Sequence, residues 1–109
     1  MRQLRGFEKK YLRGLAHSIK PVVFVGQKGV SAILIEVINE ALDVHELIKI
    51  KFIEFKQKDQ KEKLCGKIER STESILVGMI GHIGIFYRPH ADPLKRHIVL
   101  PKSCKTQDD

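Results

Sequence analysis

Apolar residues follow two different rhythms along this chain. Over residues 4–19, Leu4, Phe7, Tyr11, Leu15 and Ile19 recur at three- and four-residue steps and Leu12 widens the stripe, which predicts an amphipathic helix. Lys20-Pro21 ends it, because the residue before a proline is pushed out of α geometry. Val22 to Val25 is an apolar, β-branched run, too short for a helix and bounded by turn residues, and predicts a short buried strand. Across 32–44, Ile33, Leu34, Ile35, Val37, Ile38, Ala41, Leu42 and Val44 cover more than half a helical wheel. A deeply packed second helix is expected there, with Glu36, Asn39, Glu40 and Asp43 as its acidic outer face. From 47 to 55 the period drops to two, with Ile48, Ile50 and Phe52 on one side and Lys49 and Lys51 on the other. That is a strand whose lysine side must reach water, so one sheet face is at least partly open.

A weaker third helix is predicted over 59–72, with Leu64, Cys65 and Ile68 inward and Lys63, Lys67 and Arg70 outward. Ile75 to Ile80, the Gly81-His82 turn and Ile83 to Arg88 read as a β-hairpin. Residues 89–96 read as a loop, 97–100 as a short edge strand and 102–109 as a flexible tail. The order α-β-α-β-α-β-β predicts one two-layer α/β domain over residues 1–101 with a mixed four-stranded sheet.

Charge changes the picture from fold to partner. The chain of 109 residues carries a formal charge of +7. Residues 1–31 hold Arg2, Arg5, Lys9, Lys10, Arg13, Lys20 and Lys28 against Glu8 alone, seven minus one, while residues 32–109 hold thirteen basic and twelve acidic side chains. Nearly all the excess lies in the first segment, and it points to a polyanionic partner. Arg2, Arg5, Lys9 and Arg13, three and four apart, form a basic ridge on the first helix opposite its apolar stripe. A solvated helix face usually mixes signs, and only Glu8 interrupts this one. Cys65 and Cys104 lie far apart and form no CxxC, so reduced thiols and a cytoplasmic location are expected. No apolar run approaches the ~20 residues a membrane helix needs.

The ridge leads into Gly26-Gln27-Lys28-Gly29, a turn bracketed by glycines between the strand and the second helix. Ser31 stands where it can cap that helix. Free backbone N–H groups, the positive end of a helix and Lys28 suit a phosphate. The plainer alternative is a tight strand-to-helix turn with a surface lysine.

Catalysis finds no support in the motifs. His17, His45, His82, His90 and His97 form no HExxH and have no cysteine partner, so no metal site is expected. The serines lack a nucleophile elbow, and no Gly-Lys-Ser/Thr follows the glycine turn. No cofactor and no small-molecule substrate are implied.

Several stretches together resemble the YhbY/CRM family, the chloroplast RNA splicing and ribosome maturation domain. They are Tyr11-Leu12-Arg13-Gly14-Leu15-Ala16-His17, Lys20-Pro21-Val22-Val23, Gly26 to Gly29, His45-Glu46-Leu47-Ile48-Lys49-Ile50-Lys51, and Tyr87-Arg88-Pro89. The resemblance runs from about Leu4 to Pro101. It implies a fold similar to the C-terminal domain of translation initiation factor three, with sheet order 1-2-4-3. It also implies RNA binding and, for single-domain bacterial members, association with precursors of the large ribosomal subunit. The glycine loop resembles that of KH domains, which clamp nucleotide backbone, and so implies contacts at Gly26, Gln27, Lys28 and Gly29. The residues 89–96 and those past Pro101 follow no family pattern. The expectation is a monomeric, non-catalytic RNA-binding protein contacting structured ribosomal RNA through that loop and through Arg2, Arg5, Lys9, Arg13 and Lys20. The alternative is a basic face that binds an acidic protein. Most of the five phenylalanines and two tyrosines fall in core-like patterns, so shape and the ribose 2′-hydroxyl, rather than base stacking, are expected to carry specificity.

Overall fold

Seven regular elements stand close to their predicted places in a computed structural model that describes residues 4–26, 29–53 and 57–101. They are helix α1 (Gly6–Ala16), strand β1 (Val23–Val25), helix α2 (Ala32–His45), strand β2 (Leu47–Phe52), helix α3 (Lys58–Thr72), and strands β3 (Ile75–Ile80) and β4 (Ile83–Tyr87). Expectations attached to Arg2, to Gln27 and Lys28, to positions 54–56 and to the tail at 102–109 lie outside the described residues. Local chemistry accounts for the helix starts. The Arg5 N–H donates to the Glu8 carboxylate at 2.8 Å before α1, and the Leu34 N–H donates to Ser31 Oγ at 3.2 Å in α2.

The strands form one mixed sheet in the order β1-β2-β4-β3, with β1 parallel to β2 and the other pairs antiparallel. The two-layer expectation is corrected: helices cover both faces. On one face Val23, Val25, Ile48, Ile50, Phe52 and Phe86 pack with Ile38 and Leu42 of α2 and Cys65 and Ile68 of α3. On the other, Leu12 and Ala16 of α1 pack on Leu47, Val77, Ile85 and Tyr87. The reason lies in the hairpin, whose strands are apolar on both sides, so a second layer is needed to keep Val77, Ile85 and Tyr87 from water. Each such side chain contributes about 1.5–3 kcal/mol by its burial.

Two further expectations change. Helix α2 is not deeply packed: only Ile38 and Leu42 are fully buried, whereas Ile33 is 75% exposed and Val37 and Val44 also face outward. A helix lying on one sheet face buries a stripe of limited width, whatever the composition of the rest. Strand β1 is not buried on both sides either, since Val23 and Val25 point into the core and Phe24 between them points out.

Residues 97–100 form no strand, and a side chain takes the N–H groups of His97 and Ile98 instead. The Glu46 carboxylate, fully buried, accepts N–H groups from His90 at 2.7 Å, His97 at 2.9 Å and Ile98 at 3.2 Å, and pairs with the His97 ring at 3.1 Å. Burial alone would raise its pKa, but those donors and the His97 ring outweigh it and hold the carboxyl below its ordinary value. The strap so formed lays Ile98 and Leu100 against the α1 layer. Arg88 does similar work on the opposite side. Its guanidinium donates to the Asn39 side chain and backbone, to the Thr72 carbonyl and to Asp43, all within 3.0 Å, joining the ends of α2 and α3.

Candidate nucleic-acid interface

The glycine turn is a hydrogen-bonded loop whose exit is anchored in the core. The Gly29 N–H donates to the Gly26 carbonyl at 3.0 Å, and Gly29 has φ +74°, a conformation that side chains with a Cβ avoid. The next residue, Val30, is buried, and its carbonyl accepts from Lys67 Nζ of α3 at 2.9 Å. Space beside Gly26 is open, since a Cβ there would meet nothing within 4 Å. The exit of the turn is therefore fixed at Gly29 and Val30, and its entrance at Gly26 is open.

The basic ridge belongs to a different element. Arg5 is exposed at the start of α1, Lys9 is half-buried, and Lys20 is exposed between α1 and β1. Arg13 does more than present charge. Its Nη1 donates to the Val77 carbonyl at 2.9 Å, and its stem lies over Gly78, where a Cβ would come within 2.7 Å of Arg13 Cδ. Glycine at 78, beside an irregularity in the β3–β4 register, is what lets the arginine lie flat on the strand. Glu8, the one acidic side chain of residues 1–31, is turned inward and buried. Lys9 and Arg13 thus stand on α1 with Arg5 just before it, while Gly26 and Gly29 bracket the turn between β1 and α2.

A third surface extends the open lysine side expected of β2, with Phe24 an unexpected member. In register across all four strands run Phe24, Lys51, Ile83 and Ile80, on the face that carries α1 but outside its cover. Phe24 is 53% exposed and Ile80 62%, Lys51 is exposed, and Tyr11 on α1 is 40% exposed. Lys49 shares this side of β2 by strand alternation, and Ile53, 52% exposed, follows the strand in a bend. Lys61 Nζ donates to the Gly81 carbonyl at 2.9 Å and meets His82 Nδ1 at 3.2 Å, which fixes the hairpin turn at the end of this row. The signal was present in the sequence: Val23 and Val25 cannot both face the core unless Phe24 faces away.

Elsewhere the described residues offer little chemistry. They contain no group of three or more His, Cys, Asp or Glu side chains able to hold a metal ion. Burial pushes the Cys65 thiol up to about 12, so it stays protonated and inert. No helix among them is long and apolar enough to cross a membrane.

Residues 4–88 match the CRS1/YhbY (CRM) domain. The chain belongs to that family. An RNA-binding protein of Haemophilus influenzae is 39% identical over 82 residues, which are 75% of this chain and 82% of that protein. The probable RNA-binding protein YqeI of Bacillus subtilis is 33% identical over 98 residues, covering 90% of this chain and 99% of its own length. The solution structure of SAV1595 from Staphylococcus aureus is similar, with a TM-score of 0.78, 34% identity, and coverage of 91% of this chain and 100% of that one.

Proposed function

We propose that this CRM-domain protein is a non-catalytic RNA-binding protein that contacts structured ribosomal RNA during assembly of the large ribosomal subunit. The observation that carries the reading is the division of charge: residues 1–31 have a net +6, from seven basic side chains and one acid, and that acid is buried. A basic segment with its acid withdrawn presents a field of one sign, which draws a polyanion and holds it in a salt-dependent way. RNA is preferred because the relatives with the same domain are named for RNA binding. The ribosomal target follows from what the family resemblance implies for single-domain bacterial members.

In this reading Gly26, Gln27, Lys28 and Gly29 hold a phosphate, through backbone N–H groups and the lysine charge. Arg2, Arg5, Lys9, Arg13 and Lys20 follow the backbone beside it. The protein acts as a monomer in the cytoplasm. The direct test is sedimentation of a cell extract on a sucrose gradient. The protein should travel with precursors of the large subunit and leave them after ribonuclease treatment. Its presence only at the top of the gradient, or on particles that ribonuclease does not disturb, would contradict the reading.

A further inference from the structure

Beyond phosphate contacts, we propose that the open half of the α1-bearing sheet face binds unpaired RNA bases, with Phe24 as the stacking ring and Lys51 and Lys49 as its phosphate partners. The proposal rests on the RNA-binding reading above and extends it from backbone to base. The surface is built in register: Phe24 opposite Lys51, Lys51 opposite Ile83, Ile83 opposite Ile80, with Lys49 two residues before Lys51 on the same strand face.

Its composition chooses the occupant. A protein-docking patch is depleted of lysine at its centre, whereas here the exposed lysine stands in the middle of the apolar row. Interleaved cations and flat apolar groups fit a chain that is anionic along its backbone and aromatic at each residue, which is single-stranded nucleic acid. A duplex does not fit, because its bases are stacked inside and leave nothing for Phe24 to cover. Position supports the same choice. Phe24 precedes Gly26 by two residues of extended chain, about 7 Å, so a strand whose phosphate sits on the turn has neighbouring bases within reach of the ring. Lys51 and Ile83 stand on the two central strands, and Lys61 holds the hairpin turn at the end of the row.

The test compares a short single-stranded RNA containing 2-aminopurine with a blunt duplex of the same length. The parent protein should bind both and change the fluorescence of the single strand. Phe24→Ala should weaken single-strand binding at least about fivefold, the lower end of what one base on an aromatic ring contributes. It should abolish the fluorescence change and leave duplex affinity unaltered. Phe24→Tyr should restore both signals, which a merely structural role does not predict. Lys51→Ala should lower the single-strand log–log salt slope by about 0.7. Melting temperatures of all variants should match the parent, and Lys51→Ala keeps the question open to disproof if Phe24→Ala does not fold. If the parent binds both RNAs while Phe24→Ala and Lys51→Ala bind the single strand as it does, the base platform is overturned and the RNA-binding reading stands. If Phe24→Ala instead alters the protein's mass in solution without affecting single-strand affinity, the patch is a protein contact and the proposal is overturned. If the parent binds neither RNA, both fall.

Discussion

The two halves of the sheet face that carries α1 share β2, β3 and β4, and differ in whether a helix lies on them. Under α1, Leu47, Val77, Ile85 and Tyr87 are buried with Leu12 and Ala16, and Ile98 and Leu100 close the edge. Beyond it, Phe24, Ile80 and Lys51 meet water. Helix α1 has 11 residues, about 16 Å of rise, and packs mainly against β3, β2 and β4. The covered half holds the domain together. In the proposed reading the open half and the glycine turn serve recognition, so stability and binding should respond to different substitutions.

The largest separation is expected at the edge of the covered half. Glu46→Ala leaves three backbone N–H groups without their carboxylate and should cost about 3–5 kcal/mol in urea unfolding. The same carboxylate gives a pH signature. Its folded pKa lies below the ordinary 4.5, so its contribution is fully present above about pH 4.5 and is lost as pH falls through the lower folded value. Glu46→Gln should flatten the stability profile in that acidic window, and an unchanged profile would contradict the assignment.

A smaller effect marks the boundary between the halves. Gly78→Ala should cost about 1–2 kcal/mol by displacing the Arg13 stem. Paired with Arg13→Ala, the loss should be less than the sum of the two singles, because the clash is gone. Strict additivity would mean that Arg13 does not lie on Gly78 in solution.

The smallest contrast lies in the turn. Gly29→Ala should cost about 1–2 kcal/mol because of its positive φ, whereas Gly26→Ala should stay within about 0.5 kcal/mol in its open space. Thermal unfolding of the pair checks this, and equal costs would contradict the turn geometry. It follows that Gly26, rather than Gly29, is the clean position for testing the proposed phosphate contact without disturbing the fold.

Much of this architecture was legible from period and punctuation. Ser31, the Gly81-His82 turn and the alternation of residues 47–52 mark elements that formed as read, because each is decided locally. Where layers meet, the reading failed. Whether Val37 is buried depends on what lies outside α2, and a wheel cannot report that. The Glu46 strap spans more than 40 residues, from the end of α2 to His90 and Ile98, and no local pattern connects them. For the candidate site, the basic ridge and the glycine turn were visible as charge and spacing. Arg13 was read only as surface charge, although its guanidinium also clamps Val77, since the bare strand at Gly78 is recognisable only once β3 lies beneath α1. Phe24 was misplaced because its apolar character outweighed its position between two inward valines.

The proposed binding of RNA by the charge of segment 1–31 is tested most directly by measuring affinity for a structured RNA as a function of salt, in the parent and in Arg5→Ala combined with Lys9→Ala. A steep linear fall of log affinity with log salt is expected for the parent. The double variant should have a slope shallower by about 1.4–1.8, two contacts' worth, at unchanged melting temperature. Binding by the parent that does not depend on salt, or a double variant with the parent's affinity and slope, would contradict it.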